Sequence, residues 1–349
     1  MVDYDLLIPY GWTESVAADY EPLLQANRLP ARVIRMDRSE CDVATPNGVL
    51  RARCPRSDSD LGGLCTGDWV ALAADLSVRE LLPRRTAIVR GASSGRSDGQ
   101  VLAANVDIVL ICAPADGDVD LGRIERLLAL TWESGAQPIV VLTKVDAAQY
   151  DSLDEARAVA PGATVLAVSA ATGMGLEALA AILDGTVALL GGSGAGKSTL
   201  ANALLGQEVF ATGAVRASDK KGKHTTVHRE LRPLPTGGAL IDTPGLRGIG
   251  LQDATEGIER TFSDIESLAQ DCRFGDCAHD GEPGCAVLAA IATGSLPRRR
   301  LDSYRKLAKE NAWMTARVDH RLQAERRREW KVVTKASRKQ YRERGTYRT

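Results

Sequence analysis

Apolar residues follow two different patterns along the chain. Between residues 31 and 90 they fall in short strand-like runs separated by turn residues, and these runs are ARVIRM, DVAT, GVLRAR, DWVALAA and TAIVR. From residue 106 onward, continuous apolar runs alternate with amphipathic stretches of helical period. The first pattern is typical of a small β-barrel of the OB type, and the second of a parallel sheet with helices on both faces.

The second pattern predicts the order of elements in the sheet. Strands are predicted at VDIVLIC, PIVVLT, TVLAVS and TVALL, with helices between them over residues 122–133, 152–158 and 176–183. A further helix is predicted over residues 14–26, and the composition of GASSGRSDG, residues 91–99, predicts a flexible connector. The barrel and the sheet are therefore expected to be separate units.

Length and composition fit a folded protein of two or three domains. The chain has 349 residues, of which 44% are hydrophobic and 26% are charged. The N-terminus has no basic start followed by an apolar run, and no apolar stretch reaches the roughly 18 residues of a membrane span. We therefore expect a cytoplasmic protein with no membrane partner.

The net charge of −1 hides an asymmetry between the body and the C-terminus. Residues 321–349 hold eleven Lys or Arg and three Glu, so this tail carries +8 and the rest of the chain −9. Such a basic arm fits a polyanionic partner, although a solvated end or a helix with a charged face is the alternative. The barrel region contains one aromatic residue, Trp69, so RNA contact there would use arginine and phosphate rather than base stacking; a purely structural barrel is the other possibility.

A phosphate-binding loop follows the predicted strand TVALL. The segment GGSGAGKST fits the pattern G-x-x-x-x-G-K-[ST] and leads into a helical stretch, STLANALLG. Its glycines allow backbone N–H groups to surround a phosphate, the lysine reaches the β and γ oxygens, and the serine can hold Mg²⁺. The predicted nucleotide-binding residues here are Gly191, Gly192, Ser193, Gly194, Ala195, Gly196, Lys197, Ser198 and Thr199.

Two switch-like segments follow the loop. Asp242 ends an apolar strand in ALIDTPGLRG, where its carboxylate can support Mg²⁺ while the N–H of Gly245 faces the γ-phosphate. The polar segment KKGKHTTVHRE lies between the loop and this strand, and the spacing leaves open whether Thr225 or Thr226 supplies a hydroxyl to Mg²⁺.

A base-reading segment precedes the loop instead of following it. In TKVD, residues 143–146, Asp146 would accept hydrogen bonds from the N1–H and amine of guanine, and Lys144 would pack along the base. Ser169 and Ala170 stand at another strand end and would contact the guanine carbonyl through the backbone. This order fits a doubly wound domain cut at one loop and rejoined at its old termini, whereas the alternative is that TKVD and SA are accidental strand-end residues.

Three cysteines and one histidine crowd into fourteen residues. The spacing Cys272-x4-Cys277-x-His279-x5-Cys285 gives a complete tetrahedral set for one structural Zn²⁺ with no open position. The alternative is a group of buried free cysteines with a surface histidine. The other four cysteines are scattered, which favours a reducing compartment over a disulfide framework.

Over roughly residues 30–310 the chain resembles the ribosome small subunit-dependent GTPases, the circularly permuted family called RsgA. The segments QVLAANVDIVLI, TKVD, VSA, GGSGAGKST, GKHTT and DTPG occur in the order found in that family, and the Cys/His spacing matches its zinc motif. The resemblance implies GTP hydrolysis and a role in late maturation of the small ribosomal subunit. Thr143 departs from the family's usual Asn, which we expect to loosen the tie between base reader and loop, and the long tail is not covered.

The expected fold is a circularly permuted α/β P-loop GTPase domain with a mostly parallel sheet, an N-terminal OB-type β-barrel and a mainly helical C-terminal zinc-binding domain. The predicted boundaries are an N-terminal extension at 1–29, the barrel at 30–92, the GTPase domain at 100–262, the zinc-binding domain at 263–320 and the basic tail at 321–349.

The sequence predicts a Mg²⁺-dependent GTPase that is slow alone and stimulated by the small subunit. Leu246 stands where a Ras-like enzyme has its water-orienting Gln, so a partner would assemble the competent state, with His224 either moving to the γ-phosphate or remaining a solvated loop residue. We expect a monomer that binds the small subunit and its rRNA but no DNA. The alternatives are a nucleotide-gated RNA-binding module and a permuted GTPase acting on another structured RNA.

Overall fold

The computed structural model describes residues 4–24, 26–37, 39–54, 63–90, 100–149, 151–210, 229–242 and 253–315, without the side chains of Arg90 and Asp242. The predicted connector, the switch residues at 224–226 and 245–246, and the basic tail lie outside the described residues. Within the described ranges, no helix combines the length and apolar character needed to cross a membrane.

Five strands form the barrel, and they are β1 (Leu29–Met36), β2 (Glu40–Thr45), β3 (Gly48–Arg53), β4 (Trp69–Leu72) and β5 (Val78–Leu81). Strand β1 pairs antiparallel with β2 and with β4, while β3 and β5 add to the two outer edges. A parallel bridge between Arg53 and Ser77 closes these edges against each other. The interior is filled by small and β-branched side chains, including Ala31, Val33, Val43 and Val70.

The fifth barrel strand differs from the prediction. TAIVR forms β6 (Ala87–Arg90), which pairs with β7 (Gln100–Ala104) in a separate two-stranded ribbon. The barrel is completed instead by β5, whose sequence VREL has two charged residues in four positions and so gives no clear apolar run. Strand β5 is recognised by its antiparallel pairing with the preceding strand β4, not by an apolar pattern of its own.

The central sheet contains β8 (Ile108–Pro114), β9 (Gln137–Thr143), β10 (Thr164–Val168), β11 (Thr186–Gly191), β12 (Glu230–Pro233) and β13 (Ala239–Asp242). In space the order is β10, β9, β8, β11, β13 and β12, and all these pairings are parallel except the antiparallel pair of β12 and β13. Strand β12 also meets barrel strand β1 at Arg35 and Glu230, so one hydrogen-bonded sheet runs through both units.

Helices cover both faces of the central sheet. The α-helices of the described residues are α1 (Glu14–Leu24), α2 (Leu121–Glu133), α3 (Leu153–Ala158), α4 (Leu176–Ala181), α5 (Lys197–Leu205), α6 (Thr255–Thr261), α7 (Ser263–Ala269), α8 (Ala286–Thr293) and α9 over residues 298–315. Alternate residues of the buried strands pack against α4 and α5 on one face and against α2, α3 and the C-terminal helices on the other. The strands' carboxyl ends therefore meet along one open edge.

A buried arginine joins the C-terminal helices to the central domain. Arg300 of α9 is 1% exposed, and its guanidinium donates to Glu125 of α2 at 2.8 Å and to both carboxylate oxygens of Asp264 of α7 at 3.0 Å. Glu125 is itself fully buried and also accepts hydrogen bonds from Arg299 and Ser303. Because an uncompensated buried charge is costly, this network fixes α2 firmly against the C-terminal helices.

A second buried arginine lies where the barrel meets the central domain. Arg32 of β1 donates to the carbonyls of Tyr10, Gly67 and Asn105 and lies over the ring of Trp69. Burial lowers the pKa of this guanidinium to about 10. Its hydrogen bonds connect the N-terminal segment, the barrel and the residue after β7, and so set the orientation of the barrel.

Candidate active site

The phosphate loop, residues 191–198, connects β11 to α5 at the open edge of the sheet. Gly196 caps α5 with φ +75°, a conformation that favours glycine, and a Cβ there would lie 3.3 Å from Oγ1 of Thr143. The ammonium of Lys197 lies over the loop, since Nζ donates to the carbonyls of Gly191 at 3.0 Å and Gly192 at 2.6 Å. The N–H groups of the first turn of α5 give this edge its anion-binding character.

Thr143 ties the base-reading segment to the phosphate loop. It is the last residue of β9 and is 4% exposed, and its Oγ1 donates to the carbonyl of Ala195 at 2.9 Å. The same hydroxyl lies 3.4 Å from the carbonyl of Ala113 at the end of β8. A threonine hydroxyl therefore links the two segments through one hydrogen bond of ordinary length, and the expectation that this tie is looser than one made by Asn stays a prediction.

Lys144 is held in place by an acidic residue that the sequence did not single out. Its backbone is left-handed, with φ +58°, and its Nζ lies 2.7 Å from Oδ2 of Asp116. The hydrogen bond from Lys144 lowers the pKa of Asp116. Asp116 follows the end of β8, and the general rule that ligands bind beyond the carboxyl ends of parallel strands could have identified it.

The predicted base-reading residues and the start of α5 surround one cavity of about 160 Å³. This volume is below the roughly 300–1,000 Å³ of whole-ligand pockets, so the cavity suits one part of a nucleotide. Ser169 is fully buried behind it, and its Oγ accepts a hydrogen bond from the N–H of Thr172 at 3.1 Å. The lining residues are Thr143, Lys144, Asp146, Ala147, Val168, Ala170, Ala171, Gly196, Thr199 and Leu200.

The remaining predicted residues of the nucleotide site are only partly described. The backbone of Asp242 ends β13, directly beside the strand that carries the phosphate loop. Its side chain lies outside the described residues, as do His224, Thr225, Thr226 and Gly245. Their placement at the site remains a prediction.

The Cys/His cluster forms a compact ligand set. The ligand atoms of Cys272, Cys277, His279 and Cys285 all lie within 4.8 Å of one another. Sγ of Cys272 is 3.9 Å from Sγ of Cys285, and the two sulfurs are 3.6 and 3.4 Å from Nδ1 of His279. Tetrahedral Zn²⁺ with ordinary bond lengths places sulfurs about 3.8 Å apart and sulfur about 3.6 Å from nitrogen, so the residues fit this metal.

Hydrogen bonds from outside the ligand set shape the cluster. The carboxylate of Glu282 accepts from the N–H groups of Ala278 at 3.0 Å and Asp280 at 2.6 Å. Arg305 of α9 donates to the carbonyl of His279 at 2.6 Å, and Sγ of Cys285 caps α8 by accepting from the N–H of Leu288. These bonds hold the histidine loop against the C-terminal helices.

Arg123, in the first turn of α2, reaches the phosphate loop. A Cβ built on Gly192 would collide with Nη1 of Arg123 and lie 3.5 Å from its Cζ. This contact could not be predicted from the sequence, because Arg123 is simply one polar position on an amphipathic helix. It lies at the phosphate loop only because β8 and β11 are neighbours in the sheet.

The chain is similar to curated proteins along nearly its whole length. The sequence profile of the RsgA GTPases matches residues 81–252. The protein named small ribosomal subunit biogenesis GTPase RsgA from Streptomyces avermitilis is 55% identical over 336 residues, which cover 93% of this chain and 91% of the relative. The protein of the same name from Streptomyces coelicolor is 52% identical over 340 residues, covering 94% and 93%.

Two solved structures share the fold. The crystal structure of YjeQ from Thermotoga maritima matches with a TM-score of 0.59 and 23% identity, covering 80% of this chain and 97% of that one. YloQ, described as a circularly permuted GTPase, matches with a TM-score of 0.57 and 22% identity over 84% and 96% of the two chains. With the predicted base-reading segment before the phosphate loop and a Cys/His cluster after it, the chain belongs to the circularly permuted RsgA GTPase family.

Proposed function

We propose that this protein is a Mg²⁺-dependent GTP hydrolase in late maturation of the small ribosomal subunit, which binds the subunit's rRNA and uses GTP hydrolysis to time its release. The name shared by these relatives supports the small-subunit role. We further propose that the protein is a cytoplasmic monomer that binds no DNA.

The observation that carries the proposal is the bond from Thr143 to the carbonyl of Ala195. This bond supports the proposal because it links the predicted base-reading segment to the phosphate loop, although Asp146 and Lys197 are 51 positions apart in the chain. Asp146 and Gly196 both line the cavity described above. An accidental TKVD would have no reason to be joined to the phosphate loop by a buried hydrogen bond.

Each residue of the site has a defined task in this proposal. The exposed carboxylate of Asp146 would accept two hydrogen bonds from guanine, a donor pair that adenine does not present. Lys197 and the loop N–H groups would hold the β- and γ-phosphates, and Ser198 would hold Mg²⁺ together with Asp242 and either Thr225 or Thr226. Mg²⁺ supplies charge neutralisation to the phosphate oxygens when it is bound.

Hydrolysis is proposed to be slow without a partner. Leu246 has no polar atom with which to orient the attacking water, so the competent arrangement would form on the small subunit. We assign His224 and the N–H of Gly245 as the groups that then approach the γ-phosphate. Both belong to segments whose composition suits switches.

The Cys/His cluster is proposed to hold one structural Zn²⁺. Its distances fit a tetrahedral metal, and all four ligands come from the protein, which leaves no position for a catalytic water. The cluster's part in the function would then be to stabilise the C-terminal helices that contact α2.

RNA binding is proposed to rest mainly on the basic tail. On the described barrel surface, Arg51 pairs with Asp37, Glu40 and Asp42, and Arg53 pairs with Asp75. Phosphates would have to displace these carboxylates to reach the arginines. Residues 321–349, with eleven Lys or Arg, carry more uncompensated positive charge.

Steady-state hydrolysis of GTP and ATP, with and without isolated small subunits, tests the proposal. We expect slow, GTP-selective turnover that rises strongly with small subunits and is abolished in Lys197→Ala, while the exposed-lysine control Lys306→Ala behaves as wild type. Equal use of ATP would reject the base-reading segment. GTP turnover that is indifferent to subunits would reject the ribosomal role while leaving the enzyme.

A nucleotide-gated binding module would behave differently. Two hydrolysis-deficient states distinguish the readings: a Lys197→Ala variant that still binds GTP, and wild type loaded with a non-hydrolysable GTP analogue. For a nucleotide-gated binding module, both would leave small subunits as quickly as wild type with GTP does. If hydrolysis times release, both should remain trapped on the subunit, as measured by co-sedimentation.

A further inference from the structure

Arg123 is a second cation at the phosphate loop. Its backbone N–H donates to Oδ1 of the helix cap, Asp120, at 2.9 Å, and its Nε lies 3.6 Å from Oδ2 of the same residue. The side chain is 55% exposed, and its guanidinium occupies the space that a side chain on Gly192 would need. Glycine at position 192 thus allows a long cationic side chain to approach the loop backbone.

Lys197 and Arg123 converge on the same loop residue. Nζ of Lys197 donates to the carbonyl of Gly192, while the guanidinium of Arg123 lies against the Cα of that glycine. Two like charges repel unless an anion lies between or beside them. Their convergence on a phosphate-binding turn is the arrangement that stabilises a transferring phosphoryl group, where negative charge spreads over the equatorial oxygens.

The helix that carries Arg123 is fixed, so only its side chain needs to move. Glu125 is tied to Arg300, and Arg126 forms a two-pronged ion pair with Glu310 of α9. Gly257 of α6 also packs so closely on the carbonyl of Ala129 in this helix that a Cβ would collide with it. A preorganised backbone beneath a mobile guanidinium suits a group that contacts the substrate in only one state.

We propose that Arg123 is a further catalytic residue: with GTP bound, its guanidinium leaves Asp120 and donates hydrogen bonds to oxygen of the terminal phosphoryl group. In the reaction, the water oxygen bonds to the γ-phosphorus and the bond from that phosphorus to the bridging oxygen breaks, so GDP leaves with the electron pair of that bond. One proton of the water stays on the released phosphate and the other passes to solvent. Arg123 loses no proton and stabilises the charge that develops. This inference rests on the proposed GTP hydrolysis and gives the protein's own chain an arginine of the kind that other GTPases obtain from a partner.

The test compares Arg123→Ala and Arg123→Lys with Arg157→Ala in the full-length protein. Arg157 is a matched control, because it is 56% exposed and pairs with Asp154 three residues earlier, as Arg123 pairs with Asp120, but on α3. Single-turnover GTP hydrolysis is measured with and without small subunits, together with the affinities for GDP and for a non-hydrolysable GTP analogue.

We expect Arg123→Ala to slow hydrolysis about 10- to 100-fold, below the roughly 10³–10⁵-fold of a fully enclosed arginine, because this side chain is half exposed. GDP affinity should change less than about threefold, Arg123→Lys should recover part of the rate as a point charge, and added guanidinium ion should partly rescue Arg123→Ala. Arg157→Ala should match wild type.

Two results would overturn the inference. A rate for Arg123→Ala within twofold of wild type would remove Arg123 from the reaction, and an equal loss of GDP and GTP affinity without guanidinium rescue would make it a support of the loop backbone. Failure of the proposed function would look different, since wild type itself would then hydrolyse no GTP, alone or with subunits. Should the alanine variant not fold, Arg123→Gln and Arg123→Lys give the same comparison.

Discussion

The nucleotide site gathers its described residues from the ends of five parallel strands, whereas the Cys/His cluster takes all its ligands from fourteen consecutive residues. Behind the nucleotide site lie fully buried strands such as Val187–Leu190 and two layers of helices. Around the Cys/His cluster, backbone hydrogen bonds to Glu282 and Arg305 supply much of the support. The packed fold positions the residues of the nucleotide site, whereas the Cys/His cluster is proposed to stabilise its own segment of the fold.

The two sites differ in the source of the free energy that stabilises their structure. A site on a packed sheet is formed before its ligand binds, so ligand binding adds stability without creating the geometry. A short segment with three thiols and an imidazole close together has little apolar surface to bury, so the proposed metal would supply much of its folding energy. We therefore expect metal loss to be costly for stability and the nucleotide-site substitutions to be costly mainly for binding.

The largest expected effect is the loss of the metal. Cys277→Ser should eliminate bound zinc and lower the melting temperature by more than about 10 °C, since structural zinc gives small domains about 10–16 kcal/mol. Cys54→Ser, another half-buried cysteine but outside the cluster, should keep full metal content. Metal analysis measures the zinc content and calorimetry measures the melting temperature of both variants. Below its melting transition, Cys277→Ser should bind GDP within about threefold of the wild-type affinity. A larger loss would show that the two sites are not independent.

Asp146→Asn should give the next largest effect, on base selection. Removing the carboxylate costs charge-assisted hydrogen bonds worth about 1.5–3 kcal/mol each, so GTP affinity should fall about 10²-fold or more. Xanthine presents a carbonyl where guanine has its amine, and the asparagine amide can donate to it, so xanthosine triphosphate should bind the variant better than GTP. The melting temperature of the ligand-free variant should equal that of wild type, and an unchanged preference for GTP would refute the assignment of Asp146.

The smallest expected effect comes from Thr143→Val, which keeps the shape of the side chain and removes its hydroxyl. The carbonyl of Ala195 would lose its partner at a cost of about 1–3 kcal/mol, so GDP should bind roughly 5- to 100-fold more weakly. Thr143→Ser retains the hydroxyl and is the control. Titration calorimetry with GDP decides the matter, and equal affinity of the valine variant would mean that the hydrogen bond does not order the phosphate loop.

Most of the central sheet could be predicted from the sequence because its strands are continuous apolar runs. VDIVLIC, PIVVLT, TVLAVS and TVALL correspond to β8, β9, β10 and β11 within two residues, and the phosphate loop lies between β11 and α5 as its pattern requires. The helices between the strands also match, since each has an apolar face toward the sheet.

The remaining features depend on pairing that leaves no local periodic signal. Strand β5 joins the barrel by pairing with the preceding strand β4 although its sequence has no apolar run, and β1 joins the central sheet through β12, which is distant in the chain. The contacts of Asp116 with Lys144 and of Arg123 with Gly192 likewise arise because β8 lies between β9 and β11. The hydrogen bond from Thr143 to Ala195, at a position where the family usually has Asn, likewise depends on a three-dimensional contact that the sequence does not show.

The strand order also determines the order in which parts of the sheet can form while a ribosome synthesises this chain. Strands β8, β9 and β10 leave the ribosome in the order in which they pair, and β11 then pairs with the other edge of β8. Strand β13 leaves after β12 but lies between β11 and β12 in the sheet, so β12 reaches its place only together with β13. At roughly 5–20 residues per second, the phosphate loop follows the base-reading segment by about 3–10 s. A nascent chain would thus acquire its predicted base-reading segment before its phosphate loop, and both would be present only after the sheet had grown in both directions from β8.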